Sequence, residues 1–126
     1  MKAIKQTYII SAPISKVWQA LVDPEIITKW GGGPAKMEAS EGFEFELWGG
    51  EVYGKNIKVV PLKVLEQEWR EKEWERESHV RFSLTEKNGK TEVALIHTEV
   101  PPDEFEAISD GWKRYYLGPL KDLLEK

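Results

Sequence analysis

The chain reads as an α+β domain: a curved antiparallel sheet of about seven strands wrapped round one long C-terminal helix, with two short helices after the first strand. Three observations predict this. From Phe43 to His97, apolar and polar residues alternate in segment after segment, with turn signals and no helical period between them. After Pro101-Pro102-Asp103 the period changes, and Phe105, Ile108, Trp112, Tyr115, Tyr116, Leu120, Leu123 and Leu124 recur at intervals of three and four. Between the first strand and the alternating region lie two short apolar stripes bounded by prolines. An antiparallel sheet with one apolar face has to cover it, and the C-terminal helix is the one element large enough to do so.

Lys2 to Ser11 alternates as the first strand, with Ile4, Gln6, Tyr8 and Ile10 on one face and Ala3, Lys5, Thr7 and Ile9 on the other. Pro13 suits the first turn of a helix, where a missing N–H is harmless, and Val17, Trp18, Leu21 and Val22 form its buried stripe. Asp23-Pro24 ends that helix, and Pro24 opens a second that runs through Ile26 and Ile27 to Trp30. Gly31-Gly32-Gly33-Pro34 breaks regular structure. From Ala35 a meander follows. Phe43, Phe45 and Leu47 alternate with Glu44 and Glu46, and Gly49-Gly50 reads as a two-residue hairpin turn into Val52 to Val60. Pro61 interrupts, Leu65, Gln67 and Trp69 share a face of the next strand, and Arg70 to Glu77 is a charged connection. Val80, Phe82 and Leu84 then alternate with His79, Arg81, Ser83 and Thr85. Asn88-Gly89 turns the chain, and Val93, Leu95 and His97 continue on the return. Gly111 and Gly118-Pro119 interrupt the last helix, and bulky side chains on a kinked helix leave room for a hollow against the sheet.

The 126 residues fit one domain, residues 1–126, which buries roughly two-thirds of its unfolded-chain surface. No repeat or linker divides it. The absence of cysteine removes disulfides, thiolate metal sites and cysteine nucleophiles together. The net charge of -4 comes from interspersed charges of both signs, which argues against nucleic-acid binding. No apolar run is long enough to span a bilayer, and the N-terminus lacks a signal core, so a cytoplasmic monomer is expected.

An enzyme would need a nucleophile with its base, a metal cluster or a carboxylate pair in a pocket, and the sequence offers only fragments of these. No catalytic residue, metal ligand or cofactor is assigned. His97 shares its face with Val93 and Leu95 and points at the helix, where it is either a hydrogen-bonded core histidine or a group that orients a ligand or takes a proton. His79 points outward. Strict alternation puts Glu99 on the face of His97 near the strand end, either at a cavity mouth or simply solvated. Gln67 and Asn56 are further inward polar candidates, although a bulge before Ile57 would redirect Asn56. Among the six tryptophans, Trp18 and Trp112 sit on helical stripes, whereas Trp30 beside the triple glycine marks a candidate entrance. The glycines lack the Lys-Ser/Thr of a phosphate loop and read as a lid or a plain loop. Glu66, Glu68 and Arg70 to Glu77 make a charged ridge around Trp69 and Trp74, either a solvated face or a docking surface.

Several motifs carry a family resemblance. Gly50-Glu51-Val52-Tyr53-Gly54, Val60-Pro61, Leu65, Trp69-Arg70, Trp74 and Asn88-Gly89-Lys90-Thr91-Glu92-Val93 resemble the C-terminal domain of activators of the heat-shock protein 90 ATPase, a branch of the START-like (SRPBCC, helix-grip) superfamily. Gly111-Trp112-Lys113-Arg114-Tyr115-Tyr116 resembles the Gly-Trp-x-x-Tyr-Tyr signature on that family's last helix. The resemblance covers roughly residues 3 to 126 and implies a helix-grip fold. In the full co-chaperone a separate N-terminal domain precedes this one and contributes to ATPase stimulation, so a complete activator is not expected here.

Three functions follow as expectations. The first is a non-enzymatic protein that binds a small hydrophobic or amphipathic ligand between the C-terminal helix and the sheet. Its candidate lining is Trp112, Tyr115, Tyr116 and Ile108 from the helix, Phe43, Phe45, Trp69, Phe82, Leu95 and His97 from the sheet, and Trp30. The second, implied by the resemblance, is a stress-response interaction module that regulates a heat-shock protein 90 type chaperone ATPase. The third is a polyketide cyclase-like or hydrolase activity using His97.

Overall fold

The computed structural model describes residues 3–126. Six strands, not seven, form one antiparallel sheet: β1 (Ile4–Ile10), β2 (Glu44–Leu47), β3 (Val52–Val60), β4 (Val64–Glu71), β5 (Ser78–Lys87) and β6 (Lys90–Thr98). Their spatial order is β1-β6-β5-β4-β3-β2. The seventh strand was expected in the stretch after Pro34, which makes only an isolated bridge between Lys36 and Glu46. The reason lies in the next residues, where the carbonyls of Glu38 and Ser40 accept from the Asn56 side-chain amide instead of a neighbouring strand. Met1 and Lys2, where the first strand was expected to begin, lie outside the described residues.

Alternation sorts the strands as the sequence implies. Ile4 and Ile10 of β1, Val80, Phe82 and Leu84 of β5, and Val93 and Leu95 of β6 are buried on the concave face, while Ile9 and Ile96 face out. A bulge between Asn56 and Lys58 sends Ile57 outward and leaves Asn56 fully buried. The β2–β3 connection is longer than the expected two-residue turn: Leu47 pairs with Val52, so Trp48 to Glu51 form a four-residue loop with positive φ at Trp48, Gly49 and Gly50. Gly54 on β3 is fixed by close approach, because a Cβ there would overlap the Glu68 carbonyl oxygen and press on Phe45.

Two short helices follow β1. They are α1 (Ile14–Val22), burying Val17, Trp18, Ala20 and Leu21, and α2 (Pro24–Trp30), whose first turn is capped by the Asp23 carboxylate accepting from the Glu25 N–H at 2.9 Å. Gly31 closes α2 in the left-handed conformation.

The C-terminal segment departs from the single helix of the sequence reading. It is a 3-10 turn (Pro102–Glu104), then α3 (Phe105–Gly111), one π turn (Trp112–Tyr116) and α4 (Leu117–Leu124). Two residues require the π turn. Pro119 offers no N–H to the carbonyl four residues back, and Gly118 lies so close to the Lys113 carbonyl oxygen that any Cβ there would overlap it. The extra residue in the turn changes which side chains face the sheet. Ile108, Trp112, Tyr116, Leu117 and Leu120 are buried, and Tyr115 is turned out to 64% exposure. Among the described residues, no helix is long and apolar enough to cross a membrane.

Candidate ligand pocket

Rings fill most of the space between the C-terminal helix and the sheet. Trp112 stacks on Trp69 of β4 with centroids 5.2 Å apart and planes at 30°, and meets Phe82 of β5 edge-on at 5.6 Å. One turn later Tyr116 lies 4.7 Å from Trp112 and 4.6 Å from Trp30 of α2. Such tilted and edge-on pairs add to the stabilisation from burial alone. The aromatic stripe of the helix is therefore, for the most part, core.

Within this core His97 is fully buried, and both of its ring nitrogens are engaged. The Trp112 indole N–H donates to His97 Nδ1 at 3.0 Å, which leaves the ring proton on Nε2. Nε2 then donates to Ser78 Oγ at 2.7 Å, and the Ser78 hydroxyl donates to the Trp69 carbonyl at 2.6 Å. Burial in this apolar setting, with a smaller contribution from His79, holds the imidazole pKa down at about 3. The ring is neutral at physiological pH, and its lone pair is engaged by Trp112. That arrangement is a structural relay, and it leaves His97 no free nitrogen with which to take a proton from a substrate.

A second polar pair spans β3 and β4. Gln67 Nε2 donates to Asn56 Oδ1 at 3.0 Å, and Asn56 Nδ2 donates to the Glu38 carbonyl at 2.8 Å. This pair pins the irregular stretch after Pro34 to the sheet.

Beside the Trp69–Trp112 stack the filling is incomplete. A pocket of about 230 Å³ opens between α3, the π turn and the end of β4, lined by Trp69, Glu71, Glu104, Ala107, Ile108, Gly111, Trp112, Tyr115 and Tyr116. Trp69 and Tyr116 are 4% and 2% exposed, yet the Trp69 Nε1–H and the Tyr116 hydroxyl have no hydrogen-bond partner among the described residues. Buried polar atoms are normally satisfied, and each orphan needs a reason. Burial pushes the Tyr116 pKa well above the usual phenol range, so its hydroxyl keeps its proton. The Glu71 carboxyl is also raised, first by burial and then by the neighbouring charges of Glu104 and Glu51.

Of the residues expected to line a cavity, the structure brings Ile108, Trp112, Tyr115, Tyr116 and Trp69 together here. Phe45, Phe82, Leu95 and His97 lie in the packed core, and Phe43 packs half-buried against its edge. Trp30 is buried rather than at an entrance, its Nε1–H donating to the Ala20 carbonyl at 2.8 Å. The glycine loop is tied down, with the Gly32 and Pro34 carbonyls accepting from the Trp48 and Gly49 N–H groups. Glu99 is exposed because its positive φ breaks the alternation of β6.

Sequence reasoning missed Ser78, Glu71 and Glu104. Ser78 and Glu71 could have been found by extending alternation one step beyond the apolar residues, back from Val80 and on from Leu65, Gln67 and Trp69. Glu104 carried no such signal.

The profile of the family described as Activator of Hsp90 ATPase homolog 1-like protein matches residues 11–125. The chain belongs to this family. It is 30% identical over 120 residues to the mouse protein named activator of 90 kDa heat shock protein ATPase homolog 1, covering 94% of this chain and 35% of that one. The chain thus spans about a third of the length of that curated relative. Among solved structures, an HSP90 activator from Plasmodium falciparum superposes with a TM-score of 0.90 at 19% identity, covering 98% of this chain and 96% of the other. CalU16 from Micromonospora echinospora does so with a TM-score of 0.80 at 28% identity, covering 96% and 71%. The helix-grip fold is shared with both of these structures.

Proposed function

We propose that this family member is a non-enzymatic binding protein that takes a small ligand in the pocket beside the Trp69–Trp112 stack. The observation that carries the reading is the unfilled hollow beside the aromatic stack, walled by Trp69, Ile108, Trp112 and Tyr115. At about 230 Å³ the pocket is smaller than the ~300–1,000 Å³ typical of drug-sized ligands, which favours a headgroup-sized molecule over a whole lipid. An NMR screen of small amphipathic compounds tests this. Binders should move the Trp69 indole N–H resonance, and a screen that moves none of the pocket resonances would refute it.

A second reading is an interaction module acting on a heat-shock protein 90 type ATPase. Its support is family membership together with the names of its relatives. One surface hollow gathers Glu73, Glu75, Glu99, Asp103 and Glu104 with a single basic residue, Arg76, and would steer a basic partner surface. Pull-down and ATPase assays with the host's own chaperone decide it: unchanged turnover and no capture would sink the idea.

A further inference from the structure

The pocket is bounded by carboxylates and by nothing that neutralises them. Its lining contains Glu71 and Glu104 and no Lys, Arg or His. Glu71 follows Trp69 on β4 with one residue between, so strand alternation directs it to the same, helix-covered face. It is half-buried, and no hydrogen bond or ion pair reaches its carboxylate or that of Glu104 from the described residues. Glu51, one residue before β3, lies close enough to add a third negative charge. Holding like charges together at a partly dehydrated site is unfavourable unless a cation joins them.

The remaining surface is apolar and aromatic. Trp69 and Trp112 form the floor with Ile108. Tyr115, turned outward by the π turn, stands at the rim with most of its ring free. Rings beside carboxylates suit an organic cation, because the ring quadrupole and the anions attract the same charge while the rings also take up methyl groups. A fatty-acid carboxylate or a phosphate would instead be repelled by Glu71 and Glu104.

We propose that the occupant is a small methylated ammonium, its charge met by Glu71 and Glu104 and its methyl groups by the Trp69, Tyr115 and Ile108 surfaces. The proposal rests on the pocket reading above. It also gives the π turn a role, since that turn is what directs Tyr115 to the rim while Tyr116 stays in the core.

Choline and its uncharged isostere 3,3-dimethyl-1-butanol separate the two levels of the proposal. Each is titrated into the full chain, with the Trp69 indole N–H resonance as readout. Choline should bind at least tenfold more tightly than the alcohol, and the preference should vanish in the Glu71→Gln/Glu104→Gln double variant. Raising the salt concentration should weaken choline and leave the alcohol unaffected, a test that needs no variant. Equal binding of the two compounds, or a preference that survives both the double variant and high salt, overturns the cation and leaves the pocket reading intact. If neither compound nor any other amphipathic molecule moves the resonance, both fall.

Discussion

Two indoles stack 5.2 Å apart in the centre of this domain, and they live in opposite polar circumstances. Trp112 donates its N–H to His97 and belongs to a relay whose every atom is satisfied. Trp69, on the other side of the stack, keeps an enclosed N–H with no partner, and its ring borders a hollow that Glu71 and Glu104 also line. The same chemistry serves closure at one ring and leaves an opening at the other. What separates them is the partner across the sheet: the strand register places His97 and Ser78 where Trp112 reaches them, and nothing equivalent where Trp69 points. A core can therefore be rigid on one side of a single ring pair and available for recognition on the other.

The largest way to break this contrast is to remove the relay. His97→Ala leaves Trp112 Nε1 buried without a partner, removes the donor to Ser78 Oγ and opens a cavity, and it should lower unfolding stability in urea by about 3–5 kcal/mol. Gly118→Ala attacks the scaffold that positions both rings, because its Cβ would overlap the Lys113 carbonyl oxygen. Straightening or distorting the π turn should cost about 2–4 kcal/mol, and Tyr115 and Tyr116 should exchange exposure, visible in their near-UV circular dichroism.

Acid sharpens the contrast next. The His97 pKa sits near 3 in the folded state and near 6.5 when unfolded, so between those values the unfolded chain binds the extra proton. The contribution of neutral His97 is fully present above pH 6.5 and drains away as pH falls toward 3. Wild type should lose stability by up to roughly 1.4 kcal/mol per pH unit more than His97→Gln across that window. Parallel curves for the two proteins in urea titrations at several pH values would overturn the relay as described.

A direct comparison of the indoles follows. Trp112→Phe orphans His97 Nδ1 and should cost about 2 kcal/mol, whereas Trp69→Phe removes an N–H that has no partner and should cost less than about 1 kcal/mol beyond the area lost. The smallest effect belongs to Gly111, where a Cβ would sit 3.8 Å from the Tyr115 ring in ordinary contact. Gly111→Ala should therefore raise the melting temperature slightly, by up to about 1 kcal/mol of added helix propensity. The added methyl narrows the pocket and should weaken any ligand there.

Much of the architecture was legible because burial follows period. Alternation on β1, β4, β5 and β6 and the aromatic stripe from Ile108 to Leu120 both report which side faces the core, and the motif around Trp112 carried the family resemblance. The extra strand near Ala35 was expected because Ala35 to Glu38 lacks a helical period. Its backbone is instead taken up by Asn56, a long-range contact that no local pattern announces. The site was half legible. Trp69, Trp112, Tyr115, Tyr116 and Ile108 were all candidates, yet so were Phe82, Leu95 and His97, and the sequence held no sign of which aromatics had neighbours to fill the space beside them.

The helix pair after the first strand, the inward faces of β1, β4, β5 and β6 and the kink near Gly118-Pro119 were set by the sequence alone, since each depends on residues within a few positions of one another. Only the tertiary structure decided that His97 is locked by Ser78 and Trp112, that the kink is a π turn sending Tyr115 out and Tyr116 in, and that Glu71 and Glu104 meet at one hollow. Those outcomes depend on distances between side chains far apart in the chain, where one added helical residue or one strand register determines whether a polar group finds a partner.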